Sequence, residues 1–254
     1  MMMTEQRSRI ALITGATRGI GRAIAEHFAK EDCRLALAYR SNRKEADETE
    51  RVLKDRGVEV LMIQADLTDH VACREVVDRT VNHFGQLDIL VNNAGTTYDG
   101  AFAVMKPEEY VPLIRGNCCA PVLLSLYAAP HLIASAEAGR NGAIVMMSSM
   151  AGITGKEGQV PYSTTKGSLI GATRLLARHF GPRGVRVNAL APGFIRTDMV
   201  KALNPKMYNH VLEASASPRM GEPQEVAGAA WFLASHSSSY INGQVHRIDG
   251  GFLR

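Results

Sequence analysis

The sequence lacks most of what marks a disulfide scaffold, a metal protein, a membrane span or a nucleic-acid binder. Only four cysteines occur among 254 residues: Cys33, Cys73, Cys118 and Cys119. They form no CxxC pair and have no histidine at metal-ligand spacing. No metal is therefore expected, and the thiols are expected to be reduced and structural, as in a cytoplasmic protein. There is no unbroken run of 18 apolar residues, so no membrane-crossing helix is expected. Met1 to Arg9 have no apolar stretch of the secretory kind and are expected to be a flexible leader. Charge of one sign is not in excess: 29 Lys and Arg stand against 25 Asp and Glu, for a net charge of +4. Apart from a cluster at Arg40 to Lys44 the basic residues are scattered, whereas a nucleic-acid binder more often carries a basic stripe.

Hydrophobic residues are plentiful, at 46%, enough for one large core in a single domain over residues 10–254. Short apolar runs alternate with amphipathic stretches along the chain. Strands are expected at Ile10–Thr14, Arg34–Tyr39, Glu59–Gln64, Asp88–Asn92, Ala143–Met147, Val185–Leu190 and Gln244–Ile248. Helices are expected at Gly19–Lys30, Lys44–Asp55, Asp69–Phe84, Asn117–Ala136, Tyr162–Phe180 and Gln224–Ala234. This alternation implies an α/β fold of Rossmann type: a doubly wound parallel sheet of about seven strands, with helices on both faces. Residues Gly193 to Pro223 lack periodicity, and a loop of that length is expected to be functional, a lid at about 194–221.

Thr14-Gly15-Ala16-Thr17-Arg18-Gly19-Ile20-Gly21 joins the first strand to the first helix. Glycines here permit a tight turn (Gly15), backbone approach to a pyrophosphate (Gly19) and close helix–strand packing (Gly21). The helix start then offers free N–H groups to phosphates. The second strand ends in Tyr39-Arg40-Ser41-Asn42-Arg43 without the acid that would bind a free ribose 2′-hydroxyl. Arg18 and Arg40 suit a 2′-phosphate instead, so NADP(H) is expected over NAD(H).

Tyr162 has a lysine, Lys166, four residues later, on the same helix face. Carbonyl reduction needs a proton delivered to oxygen as hydride reaches carbon. A nearby ammonium is expected to lower the phenol pKa, so that Tyr162 serves as general acid and base. Ser148 and Ser149 end the fifth strand, at the sheet edge where a hydroxyl could hydrogen-bond a developing alkoxide.

These residues, together with Asn92-Asn93-Ala94-Gly95, Asn117 and Pro192-Gly193, resemble the short-chain dehydrogenase/reductase family over essentially the whole chain, Ile10 to Phe252. Within it the chain is most similar to beta-ketoacyl-acyl-carrier-protein reductases, at Thr14 to Ala25, Leu87 to Gly95, Ala191 to Met199 and Ala227 to Ala234. The resemblance implies a catalytic tetrad of Asn117, Ser149, Tyr162 and Lys166. Ser149 is preferred to Ser148 because it stands thirteen residues before the tyrosine, as in close members. It implies cofactor contacts from Gly15, Thr17, Arg18, Gly19, Ile20, Gly21, Arg40, Asp66, Leu67, Asn93, Tyr162, Lys166, Ile195 and Thr197, and a homotetramer. Three functions stay open. The first is NADPH-dependent reduction of an acyl-carrier-protein-linked 3-oxoacyl thioester, with Arg140 and Arg183 as candidate docking charges. The second is action on a free ketone, sugar, steroid or polyketide-like alcohol, with Met199, Leu203, Met207, Tyr208, Val211 and Met220 lining an apolar pocket. The third is a non-catalytic dinucleotide sensor.

Overall fold

The computed structural model describes residues 8–197 and 205–252. Seven strands, β1 (Ile10–Thr14), β2 (Arg34–Tyr39), β3 (Val60–Gln64), β4 (Ile89–Asn92), β5 (Ala143–Met147), β6 (Arg186–Pro192) and β7 (Val245–Ile248), form one sheet in the order β3-β2-β1-β4-β5-β6-β7. All pairings are parallel. The order reverses between β1 and β4, and in such sheets ligands bind at the carboxyl ends of the strands flanking that point.

The strands are apolar on both faces because both are covered. On one face α1 (Gly19–Lys30) packs against α9 (Pro223–Ala234), with Phe28 and Trp231 meeting edge to face at 5.2 Å. On the other lie α3 (His70–Phe84), α5 (Ala120–Glu137) and α7 (Val160–Phe180), which bury Val76, Val77, Leu124, Ala128, Leu132 and Phe180. Helix α2 (Arg43–Lys54) starts at Asn42, whose side chain accepts from the Glu45 amide, and α3 starts at Asp69, which accepts from Val71. Each cap satisfies an amide that the helix itself leaves unbonded.

Three expectations need correction. The fourth helix does not begin at Asn117. A helical run starts ten residues earlier as α4 (Pro107–Ile114), passes through a π turn at Arg115–Cys119 and continues as α5. Pro112, Gly116 and Pro121 read as breakers; Pro107 lies at the helix start, where no amide is lost, whereas Pro112 lies inside α4 and Pro121 just after the π turn, where the regular ladder is already broken. Residues Pro107–Glu137 are also long and apolar enough to cross a membrane by length and composition, with mean hydropathy 1.5. Here they pack against the sheet. The expected lid contains a helix, α8 (Pro205–Ala214). Finally, Arg9 belongs to the fold rather than to a leader: its guanidinium donates to the Asn141 carbonyl at 2.8 Å and lies over the Trp231 ring.

Candidate active site

The glycine turn is built as a cradle. Gly15 and Gly19 have φ of +64° and +52°, a region side chains rarely adopt. A β-carbon on Gly15 would stand 3.0 Å from Ala94 Cα, and one on Gly21 would run into the Gly15 carbonyl. A β-carbon on Gly19 would reach the Thr197 methyl at 3.3 Å, so Thr197 stands over the turn as expected of a residue beside the phosphates. Thr49 of α2 donates to the Thr17 carbonyl at 3.2 Å and holds the turn from outside. Half-buried Ile20 packs on the core. The space is therefore backbone-lined, as a pyrophosphate requires.

Asn93 does more for the turn than for a ribose. Its side-chain amide donates to the carbonyls of Thr14 at 2.9 Å and Gly15 at 3.1 Å, while Thr14 Oγ1 accepts from the amides of Asn93 and Ala94. The ends of β1 and β4 are thus stitched together across the switch point. Arg18 and Arg40 are exposed at the mouth of the cradle. Asp66 accepts from both the amide and the hydroxyl of Thr68, which together with the nearby Arg40 charge hold its carboxyl below the usual range. Leu67 opens onto a cavity of about 430 Å³ also lined by Thr68, His70, Arg115, Cys119 and Leu123. Ile195 is buried in the core, so it could meet a nicotinamide only through its backbone.

The four candidate catalytic residues converge at the carboxyl ends of β4 and β5. Asn117 lies in the π turn, fully buried. Its Oδ1 accepts from the Thr96 amide at 2.9 Å, and its Nδ2 donates to the Thr96 carbonyl and to Thr165 Oγ1. A π turn breaks the regular ladder and is common at functional sites. Ser149 caps α6 (Met150–Thr154), its hydroxyl accepting from the Ala151 amide at 3.2 Å, and lies near enough to Tyr162 to favour the ionised phenol. Ser148 is a different residue altogether: buried, it donates to the Lys166 carbonyl at 2.7 Å. Gly152 lets α6 lie directly on α7, since a β-carbon there would stand 2.6 Å from the Lys166 carbonyl carbon. That contact aims Ser149 at Tyr162.

Lys166 is buried, donates to the Met147 carbonyl at 2.8 Å, and lies 5.9 Å from the Tyr162 ring centre. Burial brings its pKa down to about 8. The expectation that Lys166 lowers the tyrosine pKa is not met in this state. Burial pushes Tyr162 above its ordinary value, the Asp99 carboxylate adds to this, and the Ser149 hydrogen bond opposes it. Loss of water around a phenol outweighs one hydrogen bond, and the ammonium faces a carbonyl instead.

The two candidate docking charges are both engaged within the chain. Arg140 gives its guanidinium to the buried Asp88 carboxylate at 3.0 Å, where Ser135, Gln86 and the Ile10 amide also converge. Arg183 pairs with Glu137 at 2.7 Å and follows the far end of α7, about 30 Å from Tyr162 at 1.5 Å per residue. Both sit at the amino-terminal edge of the sheet, the edge opposite Tyr162. Of the expected apolar lining, Val211 and Met220 are buried and Tyr208 is exposed. Met199, Leu203 and the Met207 side chain lie outside the described residues.

The chain matches the family model described as Enoyl-(Acyl carrier protein) reductase over residues 15–253. It is 37% identical to the 3-oxoacyl-[acyl-carrier-protein] reductase FabG of Staphylococcus aureus, an alignment covering 96% of this chain and 98% of that one. The chain belongs to the short-chain dehydrogenase/reductase family. The FabG reductase of Aquifex aeolicus is 36% identical, over 99% of this chain and 100% of its own. A solved short-chain dehydrogenase from Burkholderia cenocepacia, in complex with NADP, superposes with a TM-score of 0.90 at 34% identity, covering 98% of this chain and 99% of that one. A solved blue fluorescent protein from a metagenomic library, in complex with NADPH, does so with a TM-score of 0.89 at 30% identity, over 99% and 100% of the two chains. The chain is thus an oxidoreductase acting on CH–OH or C=O groups with an NAD(P)-type cofactor.

Proposed function

We propose that the protein is an NADPH-dependent reductase of 3-oxoacyl thioesters, with Asn117, Ser149, Tyr162 and Lys166 as its catalytic residues. The observation that carries the chemistry is the gathering of Ser149, at the end of β5, Asn117 and Lys166 around the start of α7, where burial raises the pKa of the half-buried Tyr162 phenol. A phenol in that condition keeps its proton at neutral pH, which suits a general acid in the reductive direction. Bound NADPH would supply the hydride. Ser149 would hydrogen-bond the substrate oxygen and orient the carbonyl. Tyr162 would pass its proton to that oxygen as it becomes an alkoxide. Lys166, beside Asn117, would replace the proton from solvent.

NADP(H) is supported by exposed Arg18 and Arg40 at the cradle's mouth, the absence of an acid at the end of β2, and solved relatives complexed with NADP and NADPH. The thioester substrate is supported by the named activity of the curated relatives, which match almost end to end. A cytoplasmic location and a homotetramer go with this reading. Exposed Leu126 on α5 and Leu175 on α7, 58% and 66% accessible, suit a surface that a second copy would cover. Light scattering tests the tetramer. The function is tested by a panel with NADPH, setting acetoacetyl thioesters on acyl-carrier protein and on coenzyme A against free ketones and sugars. The thioesters are expected to give the highest kcat/KM. Faster turnover of free ketones or sugars would overturn the substrate reading.

A further inference from the structure

An acidic side chain is tied to the start of the helix that carries Tyr162. Asp99 lies on the segment after β4, exposed to solvent, and its carboxylate accepts from Gln159 Nε2. Gln159 is itself buried, at 6% exposure, and is the residue from which α7 starts; its carbonyl accepts from Ser163 in the first turn, the turn that carries Tyr162. A second bond, from the Gly100 amide to the Gly158 carbonyl at 2.9 Å, fastens the same two segments. The carboxylate therefore does not float on a loose loop. It is held against Gln159, three residues before Tyr162 at the start of α7, and its charge opposes ionisation of the phenol. The opposite charge on that turn, Lys156, stands over the Phe194 ring at 5.4 Å and is not among the groups acting on the phenol.

We propose that Asp99, positioned by Gln159, is a specificity-determining carboxylate that admits neutral 3-oxo esters and thioesters and rejects free 3-oxo acids. The inference rests on the proposed reductase function. When Ser149 and Tyr162 hold the 3-oxo oxygen, carbon 1 of the substrate is only two bonds from the reacting carbon. In a thioester that carbon is uncharged. In a free acid it carries a carboxylate, which would sit in the field of Asp99. Like charges at such range repel even where solvent screens part of the effect. Discrimination by an unfavourable contact complements discrimination by fit.

The test compares ethyl acetoacetate with acetoacetate, at fixed NADPH and low salt, for the wild type, Asp99→Asn and Gln159→Leu. Asparagine keeps the size and a hydrogen-bonding oxygen while removing the charge. The wild type is expected to favour the ester in kcat/KM. Asp99→Asn is expected to narrow that preference about tenfold by improving acetoacetate, and Gln159→Leu to narrow it by less. The Asp99→Asn gain is expected to vanish in 0.5 M salt. If both ketones are reduced and the ratio is the same in wild type and Asp99→Asn, the role of Asp99 is overturned while the reductase reading stands. If the wild type reduces neither ester nor thioester, both fall together.

Discussion

The Lys166 ammonium stands 5.9 Å from the centre of the Tyr162 ring and gives its hydrogen bond to the Met147 carbonyl, 2.8 Å away. The two groups share a helix face, as their spacing requires, but burial sets their proton affinities in opposite directions. The phenol is pushed up and the ammonium down. Each is thereby biased toward its neutral form, the form that a water-poor site favours.

Reduction and oxidation should therefore respond differently to pH. The protonated phenol is the acid for reduction, so kcat/KM for a ketone should hold through neutral pH and fall only above the ordinary tyrosine range near 10. Alcohol oxidation needs the phenolate and should climb over the same interval. Tyr162→Phe should lower kcat by about 10²–10⁴ and leave cofactor affinity nearly unchanged. Stopped-flow rates across pH 6–11, with cofactor binding followed by fluorescence, check both statements.

Lys166 should weaken the fold at neutral pH. Folded, it loses its proton near 8; unfolded, near 10.5. Below pH 8 both states hold the proton and the folded chain bears the full cost of a buried charge. Between 8 and 10.5 the unfolded chain binds more protons, so stability rises with pH, by on the order of 3 kcal/mol in total. Lys166→Met should be inactive yet at least as stable as the wild type at pH 7. That advantage should shrink as pH rises through the window, as measured by urea unfolding of both proteins at each pH.

Gly95 should tolerate no side chain without loss of rate. A β-carbon there would lie 3.2 Å from both Asn117 Oδ1 and Lys166 Nζ. One of the two must shift by a few tenths of an ångström, and positioning errors of that kind are costly in catalysis. Gly95→Ala should lower kcat by about tenfold or more, with the melting temperature changed by only a few degrees and the NADPH dissociation constant nearly constant.

Arg18 and Arg40 should set the cofactor preference. Replacing either with Ala should reduce kcat/KM for NADPH by about tenfold, the order expected for loss of a charged hydrogen bond to phosphate, with NADH little affected. An unchanged NADPH-to-NADH ratio in the double variant would remove both arginines from the cofactor reading.

The sheet was legible because its five inner strands are short apolar runs buried on both faces, with the half-buried edge strands β3 and β7 spaced in the same alternation. Ser149 over Ser148 was legible only through resemblance; the structure supplies the physical reason, since the Ser148 hydroxyl is committed to the Lys166 carbonyl. Other features were not legible. Sequence does not show that the Arg140 guanidinium is committed to the buried Asp88 carboxylate. Nor does it show a pairing such as Asp99 with Gln159, sixty residues apart and both in loop-like sequence. The start of α4 was hidden by Pro112, Gly116 and Pro121, which the run accommodates inside α4 and around its π turn.

The residues that would do the chemistry hang from the π turn before α5, the end of β5 and the start of α7, and Gly152 packs α6 onto α7 beside them. None of them depends on α8 for a hydrogen bond among the described residues. The proton-transfer residues are thus held in place, among the described residues, without α8. Such a scaffold could exchange its lid for a relative's and keep its proton-transfer machinery, which makes it a promising host for segment grafting toward new ketones.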